Sequence, residues 1–67
     1  MTNTLKLRAL ILEKGYTQEQ LAELLNVTSA TLNYKINNRR EFKASEIQAL
    51  TRILDIQDVD EIFLPMI

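Results

Sequence analysis

Residues 17–37, TQEQLAELLNVTSATLNYKIN, contain two short stretches with helical spacing, separated by the three residues NVT. The first stretch opens with a capping box, because Thr17 can accept a bond from the Gln20 backbone N–H and the Gln20 side chain can reach back. Asn26 suits the end of that stretch, since asparagine tolerates the left-handed backbone conformation. The segment therefore predicts two helices joined by a tight turn.

The apolar positions of each stretch fall on one side of a helix. Leu21, Ala22 and Leu25 face inward from the first, and Leu32 and Ile36, four residues apart, face inward from the second. Val27 is apolar in the middle of the turn, so we expect it to be buried between the two helices.

The other side of the second stretch carries small or hydrogen-bonding side chains. They are Ser29, Ala30, Asn33 and Tyr34. A helix that only faces solvent would use Glu and Lys at such positions. These residues are therefore candidates for contact with a partner.

The flanking sequence extends the helical pattern. A helix is predicted from about residue 4 to 14, with Gly15 as its left-handed end. Further helices are predicted from about 44 to 54 and from 58 to about 64, before Pro65. One Gly, one Pro and 46% hydrophobic residues favour an all-α bundle.

Length and composition exclude several classes of function. A chain of 67 residues is one domain with a small, marginally stable core. The absence of Cys and His removes disulfides and the commonest metal ligand and general base. No apolar run approaches the roughly 18 residues of a membrane span. We expect a cytoplasmic protein that is not an enzyme, with no cofactor, no metal, no membrane association and no small-molecule substrate.

The formal net charge of -1 conceals two different halves. Residues 1–45 carry seven basic and four acidic residues, giving +3, whereas residues 46–67 carry one basic and five acidic residues, giving -4. The half that is rich in Lys and Arg includes the two-helix segment. The negative net charge of the whole chain therefore does not by itself exclude a polyanionic partner.

Eight residues in order carry a resemblance to a known family: Gln18, Leu21, Ala22, Leu25, Val27, Thr28, Leu32 and Ile36. This series resembles the helix-turn-helix of Cro/repressor-type (XRE-like) proteins, which are small DNA-binding domains of phages and bacteria. The resemblance extends from about residue 7 to 63. It implies one compact lambda-repressor-like domain over residues 1–67, a bundle of four to five helices with the helix-turn-helix at about 17–36. Asn26 and Asn38 stand where family members often have Gly.

The resemblance also implies roles for individual residues. The base-contacting set is Ser29, Ala30, Asn33 and Tyr34. The phosphate-contacting set is Gln18, Thr28, Lys35, Asn37, Arg39, Arg40 and Lys43.

Apolar positions left over from the core suggest a protein interface. One copy would neutralise few phosphates and bind DNA weakly, so we expect a homodimer or a partner repressor protein. The candidate interface comprises Leu5 and Leu12 on the outer side of the first helix, Leu24, and the apolar tail at 62–67 with Phe63, Leu64, Met66 and Ile67. The alternative is that Ile62 and Phe63 close the core of the monomer and the other positions are scattered apolar surface.

Two functions stay open at this point. The first is a sequence-specific regulator that binds double-stranded operator DNA, as a Cro-like repressor of a phage or mobile element does. The second is a protein-binding modulator or antirepressor on the same fold, because this fold does not compel DNA binding. The acidic total charge and the spare apolar positions favour the second.

Overall fold

The computed structural model describes residues 1–63, which form five helices and one isolated antiparallel bridge. The helices are α1 Thr4–Glu13, α2 Gln18–Leu24, α3 Ser29–Ile36, α4 Ala44–Ile53 and α5 Val59–Ile62. The predicted all-helical fold is confirmed.

Side chains cap the first three helices at their N-termini. Asn3 Oδ1 accepts from the Lys6 N–H at 3.2 Å, and Thr17 completes the predicted capping box with Gln20. Thr28 Oγ1 accepts from the Thr31 N–H at 3.1 Å. Each cap satisfies a backbone donor that the helix leaves without an internal partner, which fixes where the helix begins.

The first four helices all end at a residue in the left-handed conformation. The φ angles are 80° at Gly15, 58° at Asn26, 65° at Asn38 and 52° at Asp55. After each, the next N–H bonds the carbonyl five residues earlier, as in a Schellman motif: Tyr16 to Ile11, Val27 to Ala22, Arg39 to Tyr34 and Ile56 to Thr51. The sequence pattern predicts the ends at Gly15 and Asn26, and the family resemblance implies the one at Asn38, whereas an Asp at the fourth end gives a weaker signal.

Six side chains form the most deeply buried part of the core: Leu7, Leu21, Leu32, Ile36, Leu50 and Leu54. They come from α1 to α4 and from the residue that follows α4. Ala22 is buried where α2 packs on α3, and Val27 is half-buried against the same core. Val27 is thus covered less completely than predicted.

The N-terminal residues close the domain by pairing with distant segments. Thr2 forms the isolated bridge with Phe63, and the Asn3 N–H donates to the Ile62 carbonyl at 2.7 Å. The Asn38 side chain accepts from the Thr2 N–H at 2.7 Å and donates to the Thr2 carbonyl at 2.8 Å. These bonds attach the chain start to both α5 and the end of α3.

Phe63 is a core residue, so its prediction as part of a protein interface is wrong. Its ring is 5.4 Å from the Phe42 ring in an edge-to-face arrangement, and only 5% of the residue is exposed. Burial of this large apolar ring is favourable, and the ring fills space in a small core that has few other aromatic residues. Leu64, Met66 and Ile67, the other predicted contacts in the tail, lie outside the described residues.

Candidate nucleic-acid interface

The N-terminal half of α3 presents an accessible surface beside a buried one. Ser29 and Ala30 are exposed, and Tyr34 is 40% exposed, while Asn33 is half-buried. Leu32 lies on the opposite side of the helix and is fully buried. Packing against α2 therefore holds α3 by one side and leaves Ala30 and Tyr34 on the other, while Ser29 is exposed as the first residue of the helix.

Thr28 stands at the N-terminal end of this surface and already uses its hydroxyl within the protein. The hydroxyl accepts from the Thr31 N–H and donates to Thr31 Oγ1 at 2.9 Å. A bond from Thr28 to a phosphate requires its hydroxyl hydrogen to rotate away from Thr31, which the rotatable O–H bond allows.

Three polar side chains form a hydrogen-bonded chain from α1 to the middle of α3. Arg8 Nη2 donates to Asn37 Oδ1 at 2.9 Å. Asn37 Nδ2 donates to both the backbone carbonyl and the side-chain Oδ1 of Asn33, each at 2.9 Å. The Asn37 NH2 group is thus engaged within the protein, so the phosphate contact predicted at Asn37 would compete with these two bonds. Its bonds place it in a network that includes a predicted base-contacting residue.

Exposed basic residues follow α3 in the loop at 37–43. Arg39, Arg40 and Lys43 are all exposed, as their predicted role requires. The Arg40 guanidinium carbon lies 5.9 Å from the centre of the Tyr34 ring, within the range of a cation–π contact. This contact holds a positive charge beside the outer surface of α3.

Lys35 disagrees with its predicted role as a phosphate contact. It is 7% exposed, and its ammonium group donates to both carboxylate oxygens of Glu46 at 2.7 Å. The partner carboxylate also accepts from the Lys43 backbone N–H at 2.7 Å. Lys35 therefore joins α3 to the start of α4 and lies on the inner side of the helix.

The same contacts set the acidity of Glu46. Burial by itself raises the pKa of this carboxyl group, but the bonds from Lys35 and the Lys43 N–H, with the charges of both lysines, hold the pKa below its ordinary value. The Glu46 carboxyl group is thus ionised at neutral pH.

The remaining predicted residues are accessible to different degrees. Gln18, the first residue of α2, is half-buried. Three candidate interface leucines are strongly exposed: Leu5 by 81%, Leu12 by 80% and Leu24 by 57%. Leu5 and Leu12 both belong to α1, which also supplies Leu7 and Ile11 to the core. These three leucines therefore form exposed apolar surface, as predicted.

Arg8 is a residue of the site that sequence analysis missed. Its neighbours in the sequence give no sign of a polar partner, and Asn37 lies 29 residues away. Only the packing of α1 against α3 brings the two side chains together.

Comparison with known proteins agrees with this geometry. A sequence model of the helix-turn-helix family matches residues 7–62, which is most of the chain. The chain belongs to the helix-turn-helix family. This match supports the Cro/repressor-type assignment and places the chain in a class of DNA-binding transcription regulators that are generally not enzymes. Comparisons with curated proteins and with solved structures found no match.

In this helix-turn-helix protein, α2 and α3 pack together and are joined by the short turn at 25–28, as expected for the two helices of the motif. Within residues 1–63, no helix has the length and apolar character needed to cross a membrane. The same residues contain no cluster of acidic side chains, Cys or His that could bind a metal ion.

Proposed function

We propose that this protein is a sequence-specific, Cro-like repressor of a phage or mobile element, which inserts α3 into the major groove of operator DNA. The observation that carries the proposal is the exposed half of α3. It offers small and hydrogen-bonding side chains on a helix whose other side is fixed in the core. A major groove about 12 Å wide accepts such a helix.

Specificity would come from side chains on that exposed half. Asn33 can form two hydrogen bonds with adenine, and the Ala30 methyl group can contact a thymine methyl group. Ser29 can bond either a donor or an acceptor on a base edge, and Tyr34 adds a hydroxyl group and an apolar ring. Each good base contact is worth about 1–3 kcal/mol of discrimination against a wrong base.

Affinity would come from contacts to the DNA backbone on either side of α3. Gln18 and Thr28 supply neutral contacts at the motif, while Arg39, Arg40 and Lys43 supply charge after it. Three basic contacts per copy predict a salt slope of about -3 for one copy and about -5 for a dimer. A homodimer on two half-sites one helical turn apart therefore gives useful affinity from a chain with net charge -1.

A binding experiment tests this proposal directly. The wild-type protein is used to select duplexes from a randomised library, and fluorescence anisotropy then measures affinity for the selected duplex at several salt concentrations. We expect enrichment of one sequence and a salt slope in the range above. Sedimentation of the protein with and without duplex gives the number of copies bound.

A pair of matched variants localises the contact to α3. Ala30→Glu puts a longer acidic side chain on the proposed DNA surface, whereas Ala9→Glu makes the same change at an exposed position of α1. We expect Ala30→Glu to abolish binding and Ala9→Glu to retain it within about fivefold. Equal loss in both variants, or no enriched duplex with wild-type protein, would refute the proposal.

The exposed leucines support a second function of a different class. Leu5, Leu12 and Leu24 present apolar area that a DNA contact does not use. We infer as the alternative that the chain is a protein-binding modulator or antirepressor that binds a partner repressor. This alternative is favoured if micromolar protein binds no duplex while a repressor encoded by the same element co-purifies with it, and if Leu12→Lys breaks that complex.

A further inference from the structure

We propose that Asn37 is a positioning residue, supported by Arg8, which fixes the direction in which the Asn33 amide faces DNA. This inference rests on the proposed function, because Asn33 must contact a base for its amide direction to matter. It assigns Asn37 a role in specificity in place of the phosphate contact.

The bonds around Asn37 permit only one orientation of its amide. Arg8 can donate but cannot accept, so it must face the Asn37 carbonyl oxygen. The Asn33 backbone carbonyl can only accept, so it must face the Asn37 NH2 group. A reversed Asn37 amide would place its NH2 group against the Arg8 donor. Its oxygen would then face the two acceptor oxygens of Asn33.

The direction of Asn37 in turn determines that of Asn33. The Asn37 NH2 group also donates to Asn33 Oδ1, so this oxygen must face Asn37. Asn33 then keeps both hydrogens of Nδ2 and one lone pair of Oδ1 for a partner. This is the set that adenine needs, since N7 accepts one bond and N6 donates another.

The network lies where DNA binding would strengthen it. The bonds between Asn37 and Asn33 are partly buried, and the bond from Arg8 is exposed in the free protein. A duplex against α3 would exclude water from these groups and so increase the electrostatic strength of their bonds. The amide of Asn33 would therefore be most firmly oriented in the complex.

The test measures base preference rather than affinity alone. Anisotropy gives the Kd of wild type, Asn37→Ala, Asn33→Ala and the double variant. Each protein is titrated with the library-selected duplex and with the duplexes that carry each other base pair at the position Asn33 is proposed to contact, called the Asn33 position below. In wild type we expect a preference on the order of tenfold or more. Asn37→Ala should reduce that preference several-fold, and it should have no further effect on preference in the Asn33→Ala background.

Two Arg8 variants separate the bond to Asn37 from a direct effect of charge. Arg8→Lys keeps a donor and a charge, whereas Arg8→Met removes both and keeps much of the apolar stem. We expect Arg8→Met to lower the base preference and Arg8→Lys to preserve most of it. Thermal unfolding of every variant shows whether a change in preference accompanies a loss of fold.

The possible failures are distinguishable. If wild-type protein enriches no duplex, the proposed function fails and the inference fails with it. If wild type shows a preference at the Asn33 position but Asn37→Ala weakens binding to all four duplexes equally, Asn37 is only a backbone contact. If Asn37→Ala lowers the unfolding temperature and leaves the preference intact, its role is only structural. Either of the last two results overturns the inference alone.

Discussion

The two sides of α3 differ in burial and in the chemistry of their side chains. The inner side contributes Leu32, Lys35 and Ile36, all buried, and the outer side presents Ala30 and Tyr34 to solvent. Stability therefore depends on one side and proposed recognition on the other. The separation means that substitutions can test the fold and the function independently, within a helix of eight residues.

The largest effect is expected from breaking the ion pair on the inner side. Lys35→Met keeps most of the apolar stem but leaves the Glu46 carboxylate buried without its charged partner. We expect a loss of about 3 kcal/mol in the free energy of unfolding, measured by urea denaturation. For a domain of this size, the unfolding temperature should fall by more than about 10 °C.

The double variant Lys35→Met/Glu46→Leu is the control for that loss. It removes both charges, so much of the lost stability should return. Recovery should be incomplete because Leu cannot accept the bond that Glu46 takes from the Lys43 N–H. A single variant within about 0.5 kcal/mol of wild type would show that the pair does not contribute as its burial indicates.

A matching substitution on the outer side should change binding and spare the fold. Asn33→Ala removes the amide proposed to contact adenine, so we expect a loss of about 1–3 kcal/mol in binding free energy that is confined to one base position. Its effect on unfolding should be much smaller than that of Lys35→Met, since Asn33 is only half-buried. Anisotropy titrations and urea denaturation measure the two quantities. An Asn33→Ala protein that keeps the wild-type base preference would show that Asn33 does not contact a base.

Helical spacing explains why most of this separation could be predicted. Local sequence determines three of the features: the capping threonines, the asparagines with positive φ and the leucines that face inward. Each depends on neighbours within four or five residues, so it can be predicted from the sequence. The same spacing places Lys35 about 60° from Leu32 around the helix, which is on the inner side. The resemblance implies a phosphate contact for Lys35, although its position around the helix favours burial.

Contacts between distant segments account for what sequence analysis missed. Glu46 lies eleven residues after Lys35, and Arg8 lies 29 residues before Asn37. The apolar tail predicts an interface at Phe63, and nothing near this residue in the sequence indicates that it meets Phe42. The spacing of residues within a single helix does not predict these contacts. They follow only from the way in which the helices pack.

The inner ion pair also predicts how stability depends on pH. The pKa of Glu46 is lowered in the folded protein, so its contribution to stability is fully present above the pKa of unfolded Glu, about 4.3. That contribution is lost as the pH falls through the lower pKa of the folded state. Comparing the unfolding free energy of wild type and Glu46→Gln from pH 7 down to acid conditions isolates this group. The difference between the two proteins should shrink below pH 4; a difference that stays constant across this range would contradict the lowered pKa.

The two asparagines that flank α3 give the smallest effects, and these should have opposite signs. Asn26 and Asn38 both have positive φ, which glycine adopts without strain, but only the Asn38 amide is bonded to both backbone groups of Thr2. We expect Asn26→Gly to stabilise the domain by about 0.5 kcal/mol. Glycine removes the backbone strain of the folded state, and this gain exceeds the cost of the greater conformational entropy that glycine gives the unfolded chain. Asn38→Gly should gain the same relief but lose two hydrogen bonds, for a net loss of about 1 kcal/mol. Thermal unfolding of the two variants side by side measures the contrast. Shifts of the same sign would mean that attachment of the N-terminal residues to the end of α3 contributes little, and that α3 is held mainly by the packing of its inner side.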